Sequence, residues 1–178
     1  MPSRCSKPPR RVRIATGIVS IWDHDPVSVA RQRADLEHRY SSWFVLGLGV
    51  SHGEFSPQYA HPYMAMNRYL SGLDSASEPV PASGRVLAAL GPKMLALARS
   101  RAAGAHPYLV TVRQVAEARQ ILGPDAVLAP ELTVVVDKDP ARARQAARNF
   151  LARYLAMRNY AASLASKVIK VFRMRGRE

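Results

Sequence analysis

Four short segments place glycine and small or polar residues directly after apolar runs, at Thr16 to Ser20, Gly49 to Gly53, Ala89 to Pro92 and Gly104 to Tyr108. In proteins with parallel strands, ligands bind at the carboxyl ends of the strands, where such segments lie. Gly91 precedes Pro92, a typical first helical residue, so free N–H groups and the helix dipole there favour a phosphate. Ser51 and Gly53 offer a similar anion site after the preceding apolar run.

The glycines have a second interpretation, in which Gly47, Gly49 and Gly91 only permit close packing and tight turns. Spacing alone does not decide between packing and anion binding. Gly47-Leu48-Gly49 is not the dinucleotide-binding fingerprint, because no third glycine opens a helix at the required offset.

The five histidines do not form a metal-binding pattern, since no pair has tight helical spacing and no pair of cysteines accompanies them. They are His24, His38, His52, His61 and His106. Ser51-His52 does not indicate a catalytic triad, because adjacent residues of a strand point to opposite faces. The sequence therefore predicts no metal, and it assigns no catalytic acid or base.

Five strand-then-helix units position these segments. The predicted strands are Val12 to Ile21, Trp43 to Val50, Val86 to Leu90, Ala105 to Val110, and Val127 to Val136, which Pro130 interrupts. Asp25-Pro26 and Asp139-Pro140 each open a helix, and Thr111 with Gln114 predicts a capping box. This alternation predicts an α/β fold with a parallel sheet and right-handed crossovers. It leaves open a doubly wound sheet or an incomplete barrel, since an eight-stranded barrel typically needs about 250 residues.

The charge is concentrated at the two ends of the chain. Ten of the 26 basic residues lie within residues 1–13 and 167–178, and the segment 14–166 carries only +4 of the net +13. The body is thus mildly basic, which does not favour a nucleic-acid-binding protein. No apolar run reaches the roughly 18 residues of a membrane helix, so we expect no membrane partner. The single cysteine, Cys5, favours a reducing cytoplasm.

Read in order, the segments resemble the luciferase-like monooxygenase superfamily, and more narrowly its oxidoreductases that use the deazaflavin coenzyme F-420. The similar stretches are RIATGIVSIWDHDP (13–26), WFVLGLGVSH (43–52), RVLAALGPKMLALA (85–98), GAHPYLVT (104–111), ILGPDAVLAPELTVVVDKDPARAR (121–144) and YLAMRNY (154–160). No single stretch is decisive. Their common order and spacing carry the resemblance.

The resemblance implies an incomplete TIM-type (β/α)8 barrel in which the five units correspond to the third to seventh. It also implies a non-prolyl cis peptide at Gly17–Ile18, against the central ring of the deazaflavin. The phosphate contacts of the family map onto the loops after the next two strands. The implied cofactor-binding residues are Gly17, Ile18, Val50, Ser51, His52, Ala89, Leu90 and Gly91.

The resemblance covers about residues 12–164, so we expect a partial barrel domain there, between a basic segment 1–11 and a basic tail 165–178 that match nothing in the family. Counterparts of the first two strands and of the strand that closes the barrel are absent. We therefore expect a truncated member whose open sheet edges make the lone chain poorly soluble, oligomeric or unstable.

Three functions follow as hypotheses. The first is hydride transfer between the reduced deazaflavin and an unknown small organic substrate, with an FMN-dependent monooxygenase as a close variant. The second is a non-catalytic remnant that binds ligand weakly or pairs with a homologue. The third is a basic nucleic-acid-binding module, whose affinity would depend on salt and on residues 1–11 and 166–178.

Overall fold

The computed structural model of the chain describes residues 13–40, 43–54, 56–163 and 165. Along these residues, strands and helices alternate as β1 (Ile14–Ala15), β2 (Val19–Ser20), α1 (Pro26–Arg39), β3 (Phe44–Gly49), α2 (Pro62–Asp74), a 3-10 turn (Ala82–Gly84), β4 (Arg85–Leu87), α3 (Pro92–Arg101), β5 (Gly104–Ala105), α4 (Val112–Leu122), β6 (Val127–Leu128) and α5 (Pro140–Leu155). Residues 158–163 form a further helical segment. The predicted segments 1–11 and 166–178 lie outside the described residues.

The sheet is parallel throughout its described pairings, in the order β1-β3-β4-β5-β6, with β2 also paired to β3. It curls into half of a barrel, with helices packed against it. The fold is therefore α/β, as the alternation of elements predicts. Among the described residues, no helix is both long and apolar enough to cross a membrane.

The first predicted strand is interrupted. Ala15 pairs with Val45 and Val19 pairs with Leu48, so the first strand carries one extra residue between these two points. This extra residue makes a bulge of the β-bulge kind. The Gly17–Ile18 peptide within it is cis, which confirms the conformation that the resemblance implies. Val12, the predicted first residue of this strand, lies outside the described residues.

The predicted strand Val127 to Val136 is wrong beyond its first residues. Only Val127–Leu128 pair as a strand, and Glu131 makes one further bridge to Tyr108. Pro130 has no N–H to donate to a neighbouring strand. The predicted strand Ala105 to Val110 is likewise reduced to Gly104–Ala105 and that bridge.

The helix starts agree with the sequence signals. Asp25 Oδ1 accepts hydrogen bonds from Val27 N (2.9 Å) and Ser28 N (3.1 Å) at the start of α1. Thr111 and Gln114 form the predicted capping box of α4. These caps satisfy backbone donors that the first helical turn otherwise leaves unpaired.

The core lies between the curled sheet and the helices α1 to α4. It is built by fully buried aliphatic side chains, among them Leu46, Leu48, Met66, Leu70, Leu73 and Leu87. Arg85 is also buried, at 2% exposure, and its guanidinium lies 2.7 Å from Asp74 Oδ1 and donates to the carbonyls of Val80 and Arg101. These bonds satisfy the buried charge at the end of the sheet opposite the candidate site.

Candidate functional site

A cavity of about 1110 Å³ opens at the carboxyl ends of the strands. Its walls include every residue that the sequence proposed for cofactor contact, namely Gly17, Ile18, Val50, Ser51, His52, Ala89, Leu90 and Gly91. These residues come from the loops after β1, β3 and β4, so the fold brings three separate segments to one site. Their role toward a cofactor is a separate question, and it stays a prediction.

The curl of the sheet brings Gly17 and His106 together at the floor of the cavity. Gly17 belongs to the strand that pairs with β3, whereas His106 follows β5, and strands so placed lie about 14 Å apart in a flat sheet. A Cβ atom built on Gly17 would nevertheless lie 3.7 Å from His106 Nε2. The parallel strands therefore enclose a concave space.

The loop after β3 is held by Trp22, whose Nε1–H donates to the carbonyl of Val50 at 2.6 Å. The Trp22 ring also packs against Tyr59, with 5.8 Å between ring centroids. Ser51 adopts the left-handed conformation, with φ of 53°. Such a conformation is uncommon for a residue other than glycine, and it turns the backbone sharply at the cavity wall.

The start of α3 provides free backbone donors at the cavity. Gly91 is the N-cap, no side chain caps this helix, and Pro92 has no N–H. The N–H groups of Lys93 and Met94 lie in the first turn, where a helix has no internal acceptors. A Cβ atom on Gly91 would meet nothing within 4 Å. An anion can therefore approach these groups closely.

The glycines divide between the two interpretations. Gly47 is needed for packing, because a Cβ atom there would lie 1.9 Å from Thr16 O, and Gly49 is covered by the Ile18 side chain at 2.6 Å. Gly91 has no such neighbour. Close packing thus explains Gly47 and Gly49. Gly91 instead leaves the space in front of α3 open, as the anion-binding interpretation requires.

His52 lies in the wall next to the C-terminal helical segment. Burial lowers the pKa of its imidazole, and the nearby Glu54 carboxylate opposes this effect. Its ring packs against Tyr160 at 5.1 Å, and Asn159 Nδ2 lies 3.5 Å from its Nδ1. The lowered pKa favours a neutral imidazole at neutral pH.

Aromatic side chains form the part of the cavity wall that packs against His52 through Tyr160. Tyr108 and Tyr154 share a hydrogen bond of 2.7 Å between their hydroxyl groups, and the rings of both lie within 6.0 Å of the Tyr160 ring. Burial, followed by interactions among the three, raises the pKa of Tyr108 and of Tyr160 to about 12. These two phenols therefore stay protonated at neutral pH, and the partly exposed Tyr108 ring presents an uncharged face to the cavity.

The charged side chains of the cavity wall are Glu117 and Glu131. They belong to α4 and to the segment after β6, not to the loops that follow β3 and β4. None of the described residues that line the cavity is Arg or Lys, so within this part of the chain backbone N–H groups and neutral side chains are the donors. The described part of the chain holds no group of three or more side chains suited to a metal ion.

Sequence reasoning selected the loop that holds His106 without assigning that residue a role, and it did not place Tyr154, Asn159 or Tyr160 at the site. His106 stands in the predicted ligand-side segment Gly104 to Tyr108, so the rule that selected this loop already pointed to it. The residues near 154–160 follow no strand, and no local pattern predicts that the chain returns to the cavity there.

No protein-family model, curated protein or solved structure matches the chain. The resemblance to the luciferase-like superfamily therefore rests on the sequence stretches alone.

Proposed function

We propose that this chain is a luciferase-like, TIM-type half barrel that binds the deazaflavin coenzyme F-420 for hydride transfer to a small organic substrate. The observation that carries the proposal is the meeting of the three predicted loops at one cavity of about 1110 Å³. This volume exceeds the roughly 300–1,000 Å³ typical of small-molecule sites, which suits a large coenzyme with a substrate beside it.

The residues present fit such a coenzyme in two distinct regions. Ser51 and the uncapped start of α3 offer backbone donors for its phosphate-bearing tail. The floor near Gly17 and the partly exposed rings of Tyr108 and Tyr154 offer flat surfaces for its ring system. The bound coenzyme supplies the hydride, and the chain's own residues hold and orient it and exclude water.

The described residues that line the cavity include no Arg or Lys, and this bears on how a phosphate would be held there. Phosphate binding then relies on backbone N–H groups and the helix dipole, which act over a short range. We expect binding that depends only weakly on salt, in contrast to a site built from exposed Arg and Lys side chains.

The test is a fluorescence titration of the purified chain with coenzyme F-420 and, separately, with FMN. Tighter binding of F-420 supports the proposal, tighter binding of FMN supports the flavin variant, and no binding of either refutes both. Because FMN shares the tricyclic ring and the phosphate, the site geometry alone does not separate the two coenzymes.

Gly91→Asp gives the sharpest variant. Asp is a preferred N-cap residue, so the stability of the protein should be kept or raised slightly. Its carboxylate would occupy the N–H groups at the start of α3 and repel a phosphate, so we expect affinity for F-420 to fall at least about tenfold. Ala96→Asp is the matched control, since Ala96 is exposed on the same helix and does not line the cavity. Equal affinities in both variants would contradict the anion site.

Coenzyme binding without turnover is a second candidate, favoured by the half barrel. Within the described residues, strands surround only one side of the cavity. Hydride transfer requires the ring to be held at close range and at the correct angle. Measuring deazaflavin oxidation after binding is established separates this candidate from the active enzyme.

A further inference from the structure

The imidazole of His106 has a fixed orientation on the cavity floor. Its Nδ1 lies 2.6 Å from the carbonyl oxygen of Ala129. A carbonyl oxygen can only accept a hydrogen bond, so Nδ1 must carry the proton. The hydrogen bond therefore selects one tautomer of the neutral ring, as a partner on one ring nitrogen generally does.

In this tautomer Nε2 is a hydrogen-bond acceptor, and His106 lines the cavity. Nε2 is the nearest atom to the position of a Cβ on Gly17, at 3.7 Å, and both residues line the cavity. Because Gly17 has no side chain, no Cβ atom of that residue packs against Nε2. The floor thus presents an acceptor of fixed direction.

The apolar lining of the cavity makes this acceptor selective. Ile18 and Ala89 line the same cavity with apolar side chains. A ligand that covers Nε2 without offering a donor would leave the nitrogen unpaired and would bind about 5- to 100-fold more weakly. A ligand with an N–H group in the plane of its ring would instead satisfy it.

We propose that His106 Nε2 accepts a hydrogen bond from a ring N–H at the edge of the bound ligand, namely the imide N–H of the pyrimidinedione ring that flavins and deazaflavins share. This inference rests on the proposed function and deepens it. It assigns His106 to recognition of the ring system, whereas Ser51 and the start of α3 contact the tail.

The decisive experiment is nuclear magnetic resonance of the full chain, labelled with 15N at histidine and bound to 15N-labelled coenzyme F-420. We expect scalar coupling across the hydrogen bond between the imide nitrogen and His106 Nε2, with Nδ1 protonated. His106→Phe removes the acceptor with a ring of similar size, and we expect it to weaken F-420 binding about 5- to 100-fold. His38→Phe is the control, because His38 is exposed on α1, outside the cavity lining.

The outcomes separate the two claims. If the unaltered chain binds neither F-420 nor FMN, the proposed function and this inference fall together. If F-420 binds and no coupling reaches His106 Nε2, only the inference is overturned, whatever the variant's affinity. Because the coupling is measured on the unaltered chain, a His106→Phe protein that does not fold leaves the test intact.

Discussion

Replacing Gly47 by alanine should destabilise the protein severely, although glycine to alanine is the smallest change of side chain. In β3, the new Cβ would lie 1.9 Å from Thr16 O and 3.0 Å from Thr16 C. Close carbon–oxygen contacts in proteins lie at about 3.3 Å or more. The backbone at Thr16 would therefore have to move away by about 1.4 Å.

The movement also affects two hydrogen bonds. Thr16 Oγ1 donates to Gly47 O and accepts from Gly47 N, both at 2.9 Å, and both distances would become too long. Each bond contributes about 1 kcal/mol, and forced overpacking costs about 1–3 kcal/mol more. We expect the free energy of unfolding to fall by about 3–5 kcal/mol, which lowers the melting temperature by about 10 °C.

Chemical denaturation followed by circular dichroism measures this change, and Gly91→Ala is the control. Gly91 has φ of −103° and ψ of 160°, which alanine adopts easily, and its Cβ would meet nothing within 4 Å. We expect Gly91→Ala to stay within about 1 kcal/mol of the unaltered protein. A Gly47→Ala protein as stable as this control would refute the close approach of the two strands, and with it the shape of the cavity floor.

Three further predictions concern stability and association. Arg85→Leu should lower the free energy of unfolding by about 2–4 kcal/mol in thermal melts, because the carbonyls of Val80 and Arg101 lose their donor and Asp74 loses an ion pair. Partial burial raises the pKa of Asp74, but hydrogen bonds from Arg85 and Arg101 outweigh it and the net pKa is lowered from 3.8. Asp74 therefore stabilises the fold above about pH 4, and this contribution disappears as pH falls through the lowered pKa. In Asp74→Asn, the free energy of unfolding should therefore fall less steeply as the pH is lowered from about 5 to 2. Leu132 is 80% exposed, so we expect Leu132→Lys to change stability little and to reduce self-association, measured by light scattering.

Each of these three has a clear contrary result. An unchanged melt for Arg85→Leu would mean that the buried guanidinium contributes nothing net. If the free energy of unfolding of Asp74→Asn falls with decreasing pH as steeply as before, the proton taken up on unfolding binds to another group. If Leu132→Lys self-associates as before, the exposed segment after β6 is not the source of association.

The sequence predicted the starts of elements better than their ends. Asp25, Thr111 and Asp139 act on backbone donors two or three residues away, so their effect can be predicted locally. The end of a strand instead depends on how far a neighbouring strand continues beside it, which the local sequence does not show. The run Leu132 to Val136 has apolar, β-branched residues typical of a strand, yet beyond Glu131 no described strand lies beside it.

The same difference explains what could be predicted of the site. The loops at Gly17, Ser51 and Gly91 follow predicted strands, and parallel strands place their ends at one edge of a sheet. The curl that brings His106 to Gly17 depends on the packing of the whole sheet, which no local pattern contains. Tyr154 and Tyr160 both contact Tyr108, which lies about 50 residues earlier in the sequence. Such long-range contacts place them at the cavity, and no local pattern predicts them.

The two walls of the cavity differ in how firmly they are anchored. None of the residues of α5 is buried, and its described ring contacts are those of Phe150 and Tyr154. The opposite wall continues into the aliphatic core beneath the sheet. Since α5 buries no residue whereas β3 lies in the core, we expect the amides of α5 to exchange hydrogen with solvent far sooner than those of β3.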